Sequence, residues 1–218
     1  MKKRLVIALL LLILLTTINP QQKIVISKFN LKTIIIENNS LLEDKDIKNL
    51  LLPIYDRNLV FLKNTEIKKA LIQNSFIESF NIKKKYPSTL KIQIFEKKPI
   101  AVLISEKKKF YLSEKIDLIE FKNLPNYQTL PSVLGNKDDF KIFYNNLKEI
   151  NFPLDIIVKY KFYETNRWDL ETINNRVIKL PHENYTKSLE SFLNLKSKNS
   201  FEKYKLFDYR ISNQLILK

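Results

Sequence analysis

Hydrophobic and polar positions alternate along two neighbouring stretches of the chain, residues 80–83 and 90–95. Phe80 and Ile82 are each followed by a polar residue, and the second stretch, LKIQIF, alternates from Leu90 onward. A period of two places one face of a strand on a core and the other face in water. Residues 86–89 (YPST) supply the proline and hydroxyl side chains that favour a turn. We therefore predict two strands joined by a tight turn.

A strand and two helices are predicted before this pair. Residues 29–39 (FNLKTIIIENN) are rich in β-branched side chains and end in two asparagines, which tolerate left-handed turns. Ser40 and Glu43 have the spacing of a capping box, which predicts a helix that ends by Pro53. Asn64 is suited to cap a second amphipathic helix. The predicted order is strand–helix–helix–strand–strand.

The second half of the chain is predicted to be mainly β-structure with flanking helices. Apolar positions recur at helical spacing in residues 137–150 and again in residues 185–195, and the segments around these helices are typical of strands. The last predicted strands are residues 204–211 (YKLFDYRI) and 214–218 (QLILK). The predicted fold class is α+β, in which a mainly antiparallel β domain follows the first module.

The N-terminus carries three cations followed by an apolar run. Lys2, Lys3 and Arg4 precede residues 5–18, which contain no charge. A run of this length is typical of a signal peptide, but no small-x-small cleavage site follows it. With interfacial flanking residues, 5–22 could span a thin bilayer. Both interpretations stay open, and we favour an uncleaved anchor.

These patterns divide the chain into five segments. They are a cytoplasmic tail (1–4), a transmembrane anchor (5–22), a linker (23–28), a first module (29–100) and a β domain (101–218). The positive-inside rule places the tail in the cytoplasm and the rest of the chain outside the membrane.

The net charge of +15 does not change the predicted fold or domain organisation. The lysines are scattered along the chain, and the heavy use of Lys, Asn and Ile is typical of an AT-rich genome. Proteins that bind nucleic acid concentrate basic residues on one surface, so we predict no nucleic-acid partner. The sequence has no cysteine, which excludes disulfides and a thiol nucleophile.

Candidate catalytic residues are sparse. His182 is the only histidine and Gly135 the only glycine, which disfavours a Ser/His/Asp set and a glycine-rich phosphate loop. The carboxylate pair Asp138 and Asp139 is predicted to favour a helix N-terminus rather than to hold a metal. We predict no enzyme activity, no cofactor and no small-molecule substrate.

Two further features have a structural and a functional interpretation. Trp168, with Arg167, is either a core residue or a binding hot spot, and the core interpretation is favoured. Residues 83–85 (KKK) are either a solvated strand face or a site for an anionic partner, and the solvated face is favoured.

Three motifs together resemble a known family. Residues 76–101 carry a basic strand ending in Tyr-Pro and a strand closing in Glu-x-x-Pro-x-Ala, while residues 167–181 (RWDLETINNRVIKLP) and 207–218 (FDYRISNQLILK) match further segments. The combination resembles the FtsQ/DivIB family of bacterial cell-division proteins, whose first module is a POTRA domain. The chain has Asn38 and Asn39 where the family often has glycine.

The resemblance implies a scaffold of the bacterial divisome. It implies a single-pass inner-membrane protein with its N-terminus in the cytoplasm and its bulk in the periplasm at the division septum. Such a protein would link early and late division proteins by binding FtsB/FtsL-like partners through strand addition, with FtsW-, FtsI- or FtsK-like proteins as further candidates. Carried over by position, the partner-binding residues are Asp208, Tyr209, Arg210, Ile211 and Ser212.

A second interpretation belongs to another class of protein. POTRA modules also occur in chaperones and secretion accessories for outer-membrane proteins. That function would require a downstream barrel or several POTRA copies, and the sequence predicts neither.

Overall fold

The computed structural model describes residues 2–16, 27–106, 108–196, 201–211 and 214–218. The helices are α1 (Lys2–Thr16), α2 (Asp44–Leu50), α3 (Asn64–Leu71), α4 (Lys137–Glu149) and α5 (Tyr185–Lys196). The strands are β1 (Thr33–Glu37), β2 (Ile77–Lys85), β3 (Thr89–Glu96), β4 (Pro99–Ser105), β5 (Lys108–Ser113), β6 (Leu118–Glu120), β7 (Ser132–Leu134), β8 (Ile157–Tyr163), β9 (Arg167–Thr172), β10 (Val177–Lys179), β11 (Leu206–Asp208) and β12 (Ile216–Leu217).

The chain forms two compact units. The first comprises Met1–Glu37, Asp44–Leu71 and Asn81–Gln93, and the second comprises Asn38–Glu43, Ile72–Phe80 and Ile94–Lys218. Strands β2 and β3 each contribute residues to both units. The predicted boundary at residue 100 stays a prediction.

A three-stranded sheet organises the first unit, in the order β1-β3-β2. β1 runs parallel to β3, with Ile34 opposite Leu90 and Ile36 opposite Ile92. All four side chains are buried, as is Ile47 on α2. The order β-α-α-β-β and the α+β class are as predicted.

The predicted capping box is wrong. α2 begins at Asp44, four residues after Ser40, so Ser40 is not its N-cap. The Ser40 hydroxyl and the backbone N–H groups of Ser40, Leu41 and Leu42 instead donate to the carboxylate of Glu96, at 2.8–2.9 Å. Three backbone donors of the turn thus find their acceptor at the end of β3, more than fifty residues away in sequence.

Replacing Glu96 with alanine should destabilise the turn that precedes α2. Hydrogen bonds to a charged group contribute about 1.5–3 kcal/mol each when buried, and this site is partly exposed, so we expect a loss of about 2 kcal/mol. Amide exchange measures this effect, and we expect faster exchange at residues 40–42. Glu43→Ala is the matched control. Equally fast exchange in Glu43→Ala would support the capping-box interpretation instead.

A nine-stranded sheet forms the second unit, in the order β12-β11-β10-β9-β8-β7-β4-β5-β6. The prediction of a mainly antiparallel sheet missed three parallel pairings, β4 with β7, β7 with β8, and β10 with β11. The sheet is therefore mixed. α4 connects β7 to β8 and α5 connects β10 to β11, and a helical crossover is the usual way to join parallel neighbours.

The core of the second unit includes α4 and α5 and one face of this sheet. Phe140, Phe143 and Leu147 of α4 are buried, which confirms the predicted helical spacing. Trp168 is 5% exposed and stacks on Phe143, with ring centroids 4.8 Å apart and an interplanar angle of 16°. The core interpretation of Trp168 is confirmed.

The only glycine lies against this core. A Cβ atom at Gly135 would lie 2.8 Å from Cβ of Phe162, closer than any side chain tolerates without movement. Gly135 comes directly before Asn136, whose side chain accepts a hydrogen bond from the Asp139 N–H and caps α4. Asp138 and Asp139 lie in the first turn of α4, as predicted.

The N-terminal helix is apolar and uncovered. The side chains from Leu5 to Leu14 of α1 are exposed. Within the described part of the chain, no helix combines the length and the apolar character needed to cross a bilayer. The predicted anchor, 5–22, continues into residues 17–22, which lie outside the described residues.

Candidate partner-binding edge

The last strand, β12, lies at one edge of the nine-stranded sheet. It pairs on one side with β11, where Leu217 lies opposite Phe207 and Ile216 opposite Asp208. Leu206 and Lys218 exchange both backbone hydrogen bonds, at 2.9 and 3.2 Å. In an antiparallel pair the bonded residues alternate with residues whose backbone groups point away. The N–H and C=O of Leu217 therefore face outward from the sheet.

Arg210 is held in place by Asp208. Its Nε donates to both carboxylate oxygens of Asp208, at 2.8 and 3.0 Å, and its Nη2 donates to Oδ2 at 2.5 Å. The Asp208 side chain is buried, while the Arg210 side chain is 44% exposed. Asp208 thus fixes a guanidinium group that still faces solvent beside the edge strand.

The five predicted partner-binding residues occupy different environments. Asp208 and Tyr209 are buried, and the Tyr209 N–H donates to the Lys179 carbonyl at 2.9 Å. Burial also raises the pKa of Tyr209. Ile211 is 52% exposed, and Ser212 lies outside the described residues. Arg210 and Ile211 are therefore the two described members that a partner could reach.

A row of alternating charges crosses the sheet next to this site. Lys161 lies opposite Asp169, Asp169 opposite Lys179, and Lys179 opposite Asp208. Burial raises the pKa of Asp169, although Arg167 and other cations oppose this. Of this row, the linear motif at residues 207–218 identifies only Asp208, because the row exists only once four strands are in register.

A groove of about 640 Å³ lies beside these residues. It is open to solvent and is lined by polar residues that precede and begin α5 and by apolar residues that follow β11. Its lining includes His182, Asn184, Lys187, Tyr209, Ile211 and Leu215.

His182 and Arg167 have structural contacts. The Nδ1 of His182 lies 2.8 Å from the Asn166 carbonyl oxygen, which can only accept, so Nδ1 donates. The Arg167 guanidinium lies 4.3 Å from the ring centre of Tyr163. Among the described residues, no cluster of three or more His, Cys, Asp or Glu could hold a metal ion.

The contact between Asp208 and Arg210 predicts a pH dependence. Hydrogen bonds from Arg210 lower the pKa of Asp208 in the fold. A lowered pKa stabilises the fold above the unfolded-state pKa of about 3.9, and this contribution is lost as pH falls through the folded-state value. We expect Asp208→Asn to unfold about 1 kcal/mol more easily at pH 7.

Urea unfolding of the wild type and Asp208→Asn from pH 7 down to pH 2 is the measurement. The difference between them should shrink below about pH 4. A difference that stays constant over the whole series would show that the carboxylate charge is not what Asp208 contributes.

Comparison with known proteins places the chain among division proteins. A model of the POTRA domain, FtsQ-type, matches residues 29–97. Proteins named cell division protein FtsQ from Rickettsia conorii and Rickettsia bellii are each 26% identical over 190 residues, which is 85% of this chain and 71% of theirs. The POTRA match and these relatives support its assignment to the FtsQ/DivIB family.

This assignment supports a broad class of function. It is that of a non-enzymatic cell-division protein, and residues 29–97 match a POTRA domain of the FtsQ type. The FtsQ of Rickettsia prowazekii is likewise 26% identical, over 191 residues. The match to the solved extracytoplasmic domain of DivIB from Geobacillus stearothermophilus covers 44% of this chain and 87% of that domain, at 17% identity and a TM-score of 0.33.

Proposed function

We propose that this FtsQ-family chain is a divisome scaffold that captures an FtsB/FtsL-like partner by strand addition along β12. The observation that carries the proposal is the outward-facing backbone of Leu217 at the sheet edge. An exposed edge offers unpaired N–H and C=O groups, and an extended segment of another chain satisfies them while the flanking side chains select it.

The residues around this edge would give the partner its specificity. Arg210 presents a fixed positive charge, and the apolar side chains of Ile211 and Ile216 are 52% and 39% exposed. A suitable partner segment would be extended, with an acidic residue for Arg210 and apolar residues for the two isoleucines. The groove lined by Ile211 and Leu215 could receive the part of the partner that follows this strand.

The scaffold would act at the inner membrane. We place residues 1–4 in the cytoplasm, residues 5–22 in the bilayer and the bulk of the chain in the periplasm at the division septum. The basic residues Lys2, Lys3 and Arg4 before an apolar helix support this orientation. FtsW-, FtsI- or FtsK-like proteins are further candidate partners. A POTRA-type chaperone would need several such modules, and the POTRA model matches one segment, residues 29–97.

Ile211→Asp tests this assignment of the partner site. The substitution places a carboxylate in an apolar contact and should weaken capture of the FtsB/FtsL-like complex at least about tenfold, which corresponds to about 1.4 kcal/mol. Pull-down with the full chain measures binding, and circular dichroism reports the fold. Fluorescent tagging in dividing cells should show a midcell band for the wild type.

Ile173→Asp is the matched control. Ile173 is also an apolar residue of the second unit, with 58% exposure, but it follows β9 at the opposite end of that strand from Arg167. Its replacement should leave binding unchanged. Unaltered binding by Ile211→Asp, or an equal loss with Ile173→Asp, would remove the support for this site.

A further inference from the structure

The first unit ends in an exposed apolar tip, formed by Val60 and Phe61. Phe61 is 79% exposed, the highest value among the large hydrophobic side chains of the described residues, and Val60 is 48% exposed. Tyr86, in the turn between β2 and β3, is also exposed. Single exposed apolar side chains are ordinary, whereas adjacent ones rimmed by polar residues are typical of surfaces that contact a membrane or another protein.

Three segments meet at this tip. The Leu59 N–H donates to the Phe29 carbonyl at 2.8 Å, which joins the start of the unit to the loop that carries Val60 and Phe61. The Lys84 ammonium donates to the Leu62 carbonyl, which joins the end of β2 to the same loop. The rings of Phe29 and Tyr86 are in edge contact, with centroids 6.3 Å apart. The tip is therefore a built part of the fold and not a free loop.

Basic side chains surround the tip. Lys28, Lys63 and Lys85 are exposed, and Lys84 is partly exposed. Within the described residues, none of these four lysines has a carboxylate at ion-pair distance. The nearby Glu66 pairs with Arg57 and also accepts a hydrogen bond from the Lys63 backbone N–H. The tip is thus apolar at its centre and positive at its rim.

The chain itself limits how far this tip can lie from α1. Residues 17–26 separate the end of α1 from the 3-10 turn at Ser27–Phe29. A ten-residue segment spans at most about 36 Å. The reach of the tip to a membrane rests on the proposed placement of residues 5–22 in a bilayer, which would bring the membrane surface within about 36 Å of Ser27–Phe29, the segment bonded to the tip loop.

We propose that the tip docks on the surface of an anionic phospholipid bilayer. Phe61 and Val60 enter the headgroup boundary, and Lys28, Lys63 and Lys85 contact lipid phosphates. Apolar side chains rimmed by lysine suit such a surface, because the apolar part is buried and the cations remain at the polar layer. Clustered lysines next to a membrane are attracted to acidic lipids within about one Debye length.

This docking goes beyond partner capture by β12. It would hold the first unit against the membrane. Its residues are distinct from Arg210, Ile211 and Leu217, so loss of docking and loss of partner capture can be measured separately.

The absence of cysteine allows a single probe to test the proposal. Val60→Cys in the full chain, labelled with an environment-sensitive fluorophore, would be reconstituted into vesicles of phosphatidylcholine with or without phosphatidylglycerol. We expect a blue shift and a several-fold lower rate of acrylamide quenching only when phosphatidylglycerol is present. Lys45→Cys at the start of α2 is the control, and its label should remain water-exposed in both lipids.

Two variants in the Val60→Cys background separate the apolar contribution to docking from the electrostatic one. Phe61→Ser should reduce the blue shift, and Lys63→Glu combined with Lys85→Glu should remove it, with circular dichroism unchanged. A label as water-exposed as the control would overturn the proposal, as would equal protection in both lipids. Protection that depends on the density of protein in the vesicle would instead indicate contact between two copies of this chain.

Discussion

Replacing Leu217 with proline should abolish capture of the partner strand while leaving the nine-stranded sheet folded. The N–H of Leu217 faces away from β11, so proline removes no bond of the existing ladder. It removes the donor that an added strand needs, and its ring fills the path of approach. We expect a loss of about 3 kcal/mol, roughly 100-fold in Kd for the FtsB/FtsL-like complex.

Two neighbouring variants make this result specific to the backbone. Leu217→Ala keeps the N–H and should retain binding, with a small loss of packing. Ile216 lies opposite Asp208, and its N–H faces β11. Ile216→Pro removes this N–H and should therefore detach β12 from the sheet. Titration of the labelled partner measures binding, and circular dichroism reports the fold. Wild-type affinity in a folded Leu217→Pro chain would show that the partner does not add to this edge.

Replacing Trp168 with alanine should cost the second unit about 3–5 kcal/mol of stability. The indole is buried, stacks on Phe143 and contacts the rings of Phe140 and Phe162 at centroid distances of 6.2 and 4.8 Å. Removing it leaves a cavity that these rings cannot fill without leaving their own contacts. Amide exchange in α4 and β9 is the suitable measurement, because it reports on the second unit alone.

Trp168→Phe distinguishes packing from recognition. It keeps an aromatic ring against Phe143 and should lose much less stability than the alanine variant. Partner binding by Trp168→Phe should equal that of the wild type, since the indole is only 5% exposed. Reduced binding without reduced stability would instead favour the hot-spot interpretation of this residue.

The two proposed surfaces differ in their physical requirements. Strand addition at β12 depends mainly on directional backbone hydrogen bonds, with one ion pair at Arg210, so it should respond strongly to proline and less to salt than the tip does. Docking of the Phe61 tip depends partly on lysines near acidic lipids, so it should weaken as ionic strength rises. Salt titration of both activities therefore separates them without any substitution.

The candidate partner-binding residues show what can be inferred when site residues are transferred from a family motif by their position in the sequence. Asp208, Tyr209, Arg210 and Ile211 were named from a linear motif, and the structure shows that they have unequal access to solvent. Asp208 is buried beneath the group that it holds. A motif gives the order of residues along a strand, whereas the neighbouring strands decide which of them remain uncovered.

Local signals in the amino-acid sequence were enough to identify several elements. The alternation of polar and apolar residues predicted β2 and β3, and the helical spacing of apolar residues predicted α4 and α5. Asn38 adopts the left-handed conformation that asparagine tolerates, with φ of 65°. These signals depend on residues a few positions apart, so they can be recognised without knowing the path of the chain.

Contacts between distant segments could not be inferred from such local signals. The Glu96 carboxylate binds a turn more than fifty residues away, three strand pairs are parallel, and the charged row from Lys161 to Asp208 crosses four strands. Each depends on strand order and register, which the helical crossovers and the packing of the whole core select. The open edge at β12 is likewise a property of strand order, because whether a strand is an edge depends on the absence of a neighbour and not on its own residues.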